Sequence, residues 1–567
     1  MEKKFAFVIS MVLVGATILP VTIIPSEAGA VEHSMMQNEN TFGQLGLKDV
    51  WPMYRHDPGN TGCSPYVAPN TNHLAWKHPI GDSVYHSTPV IYSDRLYIST
   101  NWYFQGEPPN ISKIFTPPSP PDPRDILSCC RHEGSSGIYC LNAVTGEQLW
   151  FRAMDTPNDP AVFNEKIYVT TLNESIYDGS LYCLDARTGE TIWQKPLGSL
   201  VLSPTIVADN KIYLGCLDLN SYSGSVKCYD LTGTLLWTYT LPSFEALWFS
   251  APAVSGGNIY FIASDIYSYY TGNLFCLNAA TGQFYWSHSI FSLGFFFFGS
   301  PSPACADGNV YVVDFNLDNY YGYLKCYEGS TGDLVWSCNL GMALSFASPA
   351  VSDDSVFITA FSFDNYNSWL YRINIGNGTV QWKTFLPSTS YLSCGSPICS
   401  ADKVIVSPGT YYEYSNELFC YQRDDGTSSW QFLLDSETMG NPSLGNGRVY
   451  ISDYTGTVYA IEDVLKIQAV LGGIMGVKAI IKNTGNATLT NISWSITVSG
   501  GAMDMIHQDR AGTIQTLAAK RSAIVRLLPI FGVGKVKIIA RASLPQESTI
   551  VVTKQGLALG AMIITLP

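Results

Sequence analysis

Apolar and polar residues alternate with a period of two along most of this chain, in short runs bounded by Asp, Asn, Gly, Ser and Pro. That spacing predicts half-buried strands, because successive side chains on a strand point to opposite faces. The stretch 348–382 shows the unit in full: a Pro-led run (SPAV), a polar turn (SDDS) and a second run (VFITAF). A polar loop then leads to a third run (WLYRIN), a Gly turn (GNG) and a fourth run carrying a Trp (TVQW). Turn residues between alternating runs predict antiparallel hairpins, so each unit reads as a four-stranded meander of about 45 residues.

The second half of the unit recurs most clearly. LYCLDARTGETIW ends at Trp193, and close variants end at Trp150, Trp286, Trp336, Trp382 and Trp430. Two markers count the units. Pro opens the first strand at Pro89, Pro160, Pro204, Pro252, Pro303, Pro349, Pro397 and Pro442, a position where its missing N–H is tolerated. Trp closes the fourth strand at Trp150, Trp193, Trp237, Trp286, Trp336, Trp382 and Trp430, one fewer. The last unit, 441–463, stops after three strands, and the strand it lacks is found upstream at Asn72 to Trp76. The expectation is an all-β fold: an eight-bladed β-propeller over 70–463, closed by the N-terminal strand and carrying a Pro-rich insertion at 101–137. Trp76 and its seven equivalents are then blade-packing residues.

Cysteine usage fits this frame. Cys140, Cys183, Cys228, Cys276, Cys326 and Cys420 share one position on the third strand. Neighbouring sheets stand about 10 Å apart, too far for a disulfide, so these six read as buried thiols. Bridges among the other eight cysteines are left open, because connectivity does not follow from sequence.

At the N-terminus, Glu2-Lys3-Lys4, an apolar run from Phe5 to Ile24 and Ala28-Gly29-Ala30 predict a signal peptide over 1–30, followed by a lead-in over 31–69. An uncleaved membrane anchor is the alternative, given the length of the apolar run. Either way the chain is expected to be exported, to the extracellular side or the envelope surface. Beyond Leu465 the repeat ends, and runs at 477–484, 492–498, 522–528 and 535–542 predict a β-sandwich over 465–567.

With 32 basic and 46 acidic residues the net charge is −14, which argues against a nucleic-acid partner. The long connections of the repeat all emerge on one face, and six of them, near 173–178, 218–222, 265–270, 314–321, 364–366 and 411–414, are rich in Tyr, Asp and Asn without Lys or Arg. Tyr177, Asp178, Tyr222, Asp265, Tyr269, Tyr270, Asp318, Tyr320, Tyr321, Asp364, Tyr366, Tyr411, Tyr412 and Glu413 form the candidate binding face. Aromatic platforms with acceptors suit a surface protein or a polysaccharide. No loop has the spacing of a known calcium site, and HExxH, His-Cys metal spacing and GxSxG are absent, so no metal ligand or catalytic residue is assigned. His86, and His288 read as part of an inter-blade loop, are taken as structural.

The repeat resembles the quinoprotein-type (PQQ-like) β-propeller, whose signature is Leu/Tyr-x-Leu-Asp-Ala-x-Thr-Gly-x-x-x-Trp; Tyr182 to Trp193 is the cleanest match. The lead-in from Trp51 to Gly62 resembles the entry of such propellers, and similarity runs from about Val50 to Asp463. The family holds alcohol dehydrogenases that use PQQ with calcium. It also holds non-catalytic scaffolds, among them the lipoprotein of the bacterial outer-membrane assembly machinery. The vicinal pair Cys129-Cys130 is similar to the disulfide above the cofactor in the dehydrogenases. Those enzymes meet the anionic cofactor with Arg or Lys, whereas Thr88, Asp159, Ser203, Ala251, Ser302, Ser348, Ser396 and Asn441 open the inner strands here and offer no cation; only Arg131 is near. The resemblance therefore implies a scaffold without a cofactor, with a PQQ/calcium dehydrogenase as the alternative. The C-terminal region resembles the immunoglobulin-like modules of prokaryotic surface proteins, with Lys482 to Asn486 as a typical hairpin.

Overall fold

The computed structural model describes residues 50–567, except 82–83, 85–86, 101–102, 105–129, 132–135, 174–177, 202, 243–244, 248–249, 266–270, 292–300, 388–394, 409–414, 439, 486–487, 546–548 and 567. The expected signal peptide, most of the Pro-rich insertion and Cys129 lie outside the described residues. Among those described there is no α-helix, and no helix long and apolar enough to cross a membrane.

Local sequence explains the elements. Sheet 1 is an antiparallel meander of Val90–Tyr92, Arg95–Thr100, Gly137–Asn142 and Gln148–Ala153, in that spatial order. The same order repeats in sheets 2 (161–196), 3 (200–240), 4 (245–291), 5 (304–341), 6 (343–386) and 7 (398–438), with an extra two-residue strand paired to the second strand in sheets 3, 4 and 6 (200–201, 245–246 and 343–344). Sheet 8 takes three strands, Ser443–Gly445, Arg448–Ser452 and Thr457–Glu462, and its fourth from the other end of the chain: His73–Pro79 pairs antiparallel with Thr457–Glu462.

One joint, repeated, connects sheet to sheet. In every sheet but the seventh, where Ile405 takes the place, the Trp of the outermost strand lies against an aromatic ring of the second strand, as Trp237 on Tyr213 or Trp336 on Tyr311, with centroids 6.1 and 5.9 Å apart. The indole N–H then donates to a turn carbonyl of the next sheet: Trp237 to Ala279, Trp286 to Gly329, Trp336 to Ile375 and Trp382 to Arg423, at 2.8–3.1 Å. The Thr-Gly turn of the repeat is shaped for this contact. Its glycine has φ near +70° to +80°, and a Cβ at Gly282 or Gly378 would stand 2.7 or 2.6 Å from the preceding sheet's indole. The series runs from sheet 8 to sheet 1 as well, where Trp76 donates to Ala143 at 3.1 Å and packs on Gly146. Sheet 7 meets a different surface: Trp430 donates to Pro69, just before the N-terminal strand, at 2.8 Å.

After Asp463 a second pair of sheets follows. Leu465–Gly473, Gly476–Asn483 and Ser522–Leu527 form one, and Ile506–Leu517, Leu489–Gly500, Gly532–Ser543, Ile550–Gly560 and Met562–Thr565 form the other. The sequence pattern finds half of these eight strands. Ile506–Leu517 escapes it because only its end residues are buried, leaving no alternation to read. Val477, Ile481, Ile496, Val498 and Ile538 fill the core that the two sheets share.

Candidate functional site

The innermost strands surround an axis with two unlike ends. Toward the tight turns, the segment Trp51 to Gly62 lies across the strands and satisfies their free edges. The N–H groups of Ile91, Val162, Val254, Cys305, Val351 and Cys399 donate to the carbonyls of Trp51, Pro52, Pro58, Gly59, Thr61 and Gly62 at 2.6–2.8 Å. Six sheets are thus bonded to twelve consecutive residues. Arg55 is buried there, with Nη1 on the Pro397 carbonyl (2.9 Å) and Nη2 on that of Pro349 (2.5 Å). Asn60 Nδ2 reaches the carbonyls of Ala251, Pro252 and Pro303. A disulfide, Cys63–Cys399, fixes the segment to sheet 7 across 336 residues of sequence. The segment read as a lead-in is therefore a plug. Arg55 and Asn60 carry no sequence signal beyond their place in the segment Trp51 to Gly62.

Nearer the loop end, the residues opening the inner strands stitch one sheet to the next. Ser302, Ser348 and Ser396 hydroxyls accept the N–H of Ala251, Ser302 and Ser348 at 2.8–2.9 Å. Asp159 accepts the Thr88 N–H at 3.1 Å, and burial pushes its carboxyl up to about 7. Thr88 Oγ1, Thr205 Oγ1 and Ser443 Oγ are buried without a protein partner, a lining suited to ordered water. An anionic quinone tricarboxylate would need cations here. Among the described lining residues the cation is Arg55, and its Nη atoms are occupied by backbone carbonyls. The described lining does not fit that cofactor, and no group of three or more metal-ligating side chains occurs among the described residues.

The loop face itself carries the candidate binding residues. Tyr177, Tyr269, Tyr270, Tyr411, Tyr412 and Glu413 lie outside the described residues. Asp178 is half-buried and accepts the N–H groups of Gly179 and Ser199, so it holds its own loop. Asp265 closes its strand opposite Glu245, whose carboxyl is raised by burial and further by Asp265. Asp318, Tyr320, Tyr321, Asp364 and Tyr366 are exposed. Phe291, Phe315, Phe363 and Phe361 make ring contacts at 5.0–6.3 Å across sheets 4 to 6, with Tyr320 and Tyr366 at the margin. The face is less acidic than its loops suggest, because strand lysines reach it: Lys325 Nζ lies 2.6 Å from Asp314 Oδ2.

Three loops there are alike in backbone. Residues 219–222, 317–320 and 363–366 each span four positions between paired strand ends, and each ends on a Tyr with positive φ: Tyr222 (50°), Tyr320 (58°) and Tyr366 (53°). For a bulky side chain this conformation is strained, costing about 1–2 kcal/mol.

One structural expectation changes and one holds. His288 is part of the strand Phe284–Phe291, not of a loop; its ring stacks on Tyr327 at 4.8 Å and its Nε2 lies 2.6 Å from the Gly332 carbonyl. The six repeat cysteines are buried free thiols, and Cys216, Cys305 and Cys338 join them.

Among solved structures, the fold is similar to the quinohemoprotein alcohol dehydrogenases of Pseudomonas putida and Comamonas testosteroni. Each has a TM-score of 0.53 and 13% identity over 75% of this chain, covering 81% and 83% of those chains. The outer-membrane protein BamB of Moraxella catarrhalis has a TM-score of 0.47 and 15% identity over 69% of this chain and 100% of its own. The likeness to the two dehydrogenases describes the fold alone, a β-propeller architecture. No curated protein matches the chain. Residues 134–295, 222–314 and 297–464 match the PQQ_2 profile, and with more than half its length so matched, the chain belongs to that family, described as outer membrane protein assembly factor BamB.

Proposed function

We propose that this is an exported, non-catalytic scaffold: an eight-bladed propeller closed by its N-terminal strand, with an immunoglobulin-like domain attached, that binds a protein partner at the cell surface through its loop face. The observation that carries the binding role is the trio Tyr222, Tyr320 and Tyr366. Gly or Asn would fill a left-handed loop position at lower cost. The fold nevertheless keeps a ring there, half-buried at Tyr222 and exposed at Tyr320 and Tyr366, with Tyr320 leaning on Phe315 and Tyr366 on Phe361, so that aromatic area is presented on the loop face. The family description, an assembly factor, supports a protein partner. The Cys63–Cys399 disulfide supports export, since such bridges persist in oxidising compartments.

The test is capture from the native envelope with the wild type and with Tyr320→Asn/Tyr366→Asn. Loss of the captured protein with no fall in melting temperature is the expected result, and equal capture would remove the reading. Retention on a glycan array that Tyr321→Ala reduces would point to a polysaccharide instead. Uptake of PQQ with calcium and dye-linked alcohol oxidation would establish the dehydrogenase.

A further inference from the structure

Four chain reversals of the C-terminal domain meet at one end. The turn at 473–475 is tied to the turn at 560–561: the Met475 N–H donates to the Ala561 carbonyl at 2.5 Å, and Ile474 bridges to Met562. The connection at 528–531 joins them through the Ile530 N–H on the Met475 carbonyl (2.8 Å). The connection at 501–505 completes the group, with the Gly501 N–H on the Lys535 carbonyl at 2.6 Å. The tight turns of the ring are built largely from Asp, Asn, Gly, Ser and Thr, as turn chemistry favours. These reversals add large apolar side chains to their Gly and Asp. Ile474 is 79% exposed, Met503 94%, Met505 78% and Phe531 61%.

Charge separates this region from the rest of the chain. Residues 464–567 hold 11 Lys and Arg against 3 Asp and Glu, a net of +8; the residues before them hold 21 against 43, a net of −22. Arg526, Lys535 and Lys537 are exposed within a few positions of the apolar end, and Asp504 is the acidic residue inside it, 3.3 Å from His507.

We propose that this end docks on an anionic lipid surface. Ile474, Met503, Met505 and Phe531 enter the boundary between headgroups and acyl chains, while Arg526, Lys535 and Lys537 stay level with the phosphates. Positive charge around the tip matches that surface. The apolar side chains come from separate reversals, as a set of prongs suits a deformable bilayer. The acidic ring of a second copy would meet the lysines but leave the methionines against carboxylates.

The experiment is co-sedimentation of the full chain with vesicles of phosphatidylcholine alone or with about one third phosphatidylglycerol. Any contribution of the apolar N-terminal run is common to every variant. Wild type is expected to bind the anionic vesicles about tenfold better. Ile474→Asp/Met503→Asp/Phe531→Asp should abolish that preference at unchanged melting. Met503→Asp alone, at the most exposed position, keeps the test in force if the triple variant fails to fold. Lys535→Gln/Lys537→Gln should weaken binding roughly fivefold per charge at low salt, and little at high salt. Equal binding to both vesicles, full binding by the tip variants, or a solution dimer that the tip variants dissolve would each overturn the proposal.

Discussion

The ring and the C-terminal domain are both antiparallel sheet, yet they are held together differently. A ring sheet is too small to bury its own faces, so its apolar residues join those of its neighbours. One cluster combines Leu418, Tyr450 and Leu141 from sheets 7, 8 and 1, and another Ile262 and Val312 from sheets 4 and 5. The C-terminal sheets share a single core. Several sheets around an axis leave a centre that something must fill, and here it is a polar peptide segment with a buried Arg. Two sheets face to face leave no such centre, and the buried polar side chain described there is Asn483, bonded to the Leu517 carbonyl. Polar burial follows from geometry.

Trp336→Ala tests the comparison hardest. The indole is buried at a joint, and its loss should cost about 3–5 kcal/mol. Calorimetry should show that cost on the ring transition alone, whereas Ile538→Ala, at about 2–5 kcal/mol, should move only the C-terminal one. If either variant shifts both, the regions unfold as one. Next comes the staple: Cys399→Ser should lower ring stability by about 2–4 kcal/mol in denaturant titrations, and reductant should then have no further effect.

A smaller effect comes from Asp159. In the folded ring its carboxyl holds its proton up to about pH 7, while the unfolded chain releases it near pH ~3.9. Between those values the folded state binds more protons, so ring stability should fall by roughly 1–3 kcal/mol as pH rises through the window, and return on acidification. Melting curves of Asp159→Asn should lack that slope; an unchanged slope would assign it to other carboxylates. Tyr320→Asn is the mildest change, expected to raise stability by up to about 1 kcal/mol because it relieves a left-handed tyrosine. A drop in melting temperature would show that the ring at 320 is needed for folding.

The repeated elements were legible because each is written several times: the Thr-Gly turn and the closing Trp recur, and Asn72 to Trp76 was recognisable as the same strand out of place. Sequence could not show that the turn glycine is where the previous sheet's indole lands, since periodicity carries no information about neighbours in space. The plug was read only as an appended segment. Its residues act through backbone carbonyls, which every sequence supplies, and Arg55 and Asn60 are single letters without a pattern. At the binding face, composition identified Tyr and Asp but not the strained backbone that distinguishes Tyr222, Tyr320 and Tyr366 from other surface aromatics. Lys325, four positions into its strand, escaped a reading confined to loops.

The joint between sheets is directional, a knob on one side and a notch on the other. A gene for such units can gain or lose one by in-frame duplication and still mate every surface but the last. Trp430 escapes that interchangeability, because the carbonyl it meets belongs to Pro69 rather than to another Thr-Gly notch. A chain lengthened by one unit would still send only its last knob to that peptide, so the N-terminal segment is the one mating surface that duplication does not copy.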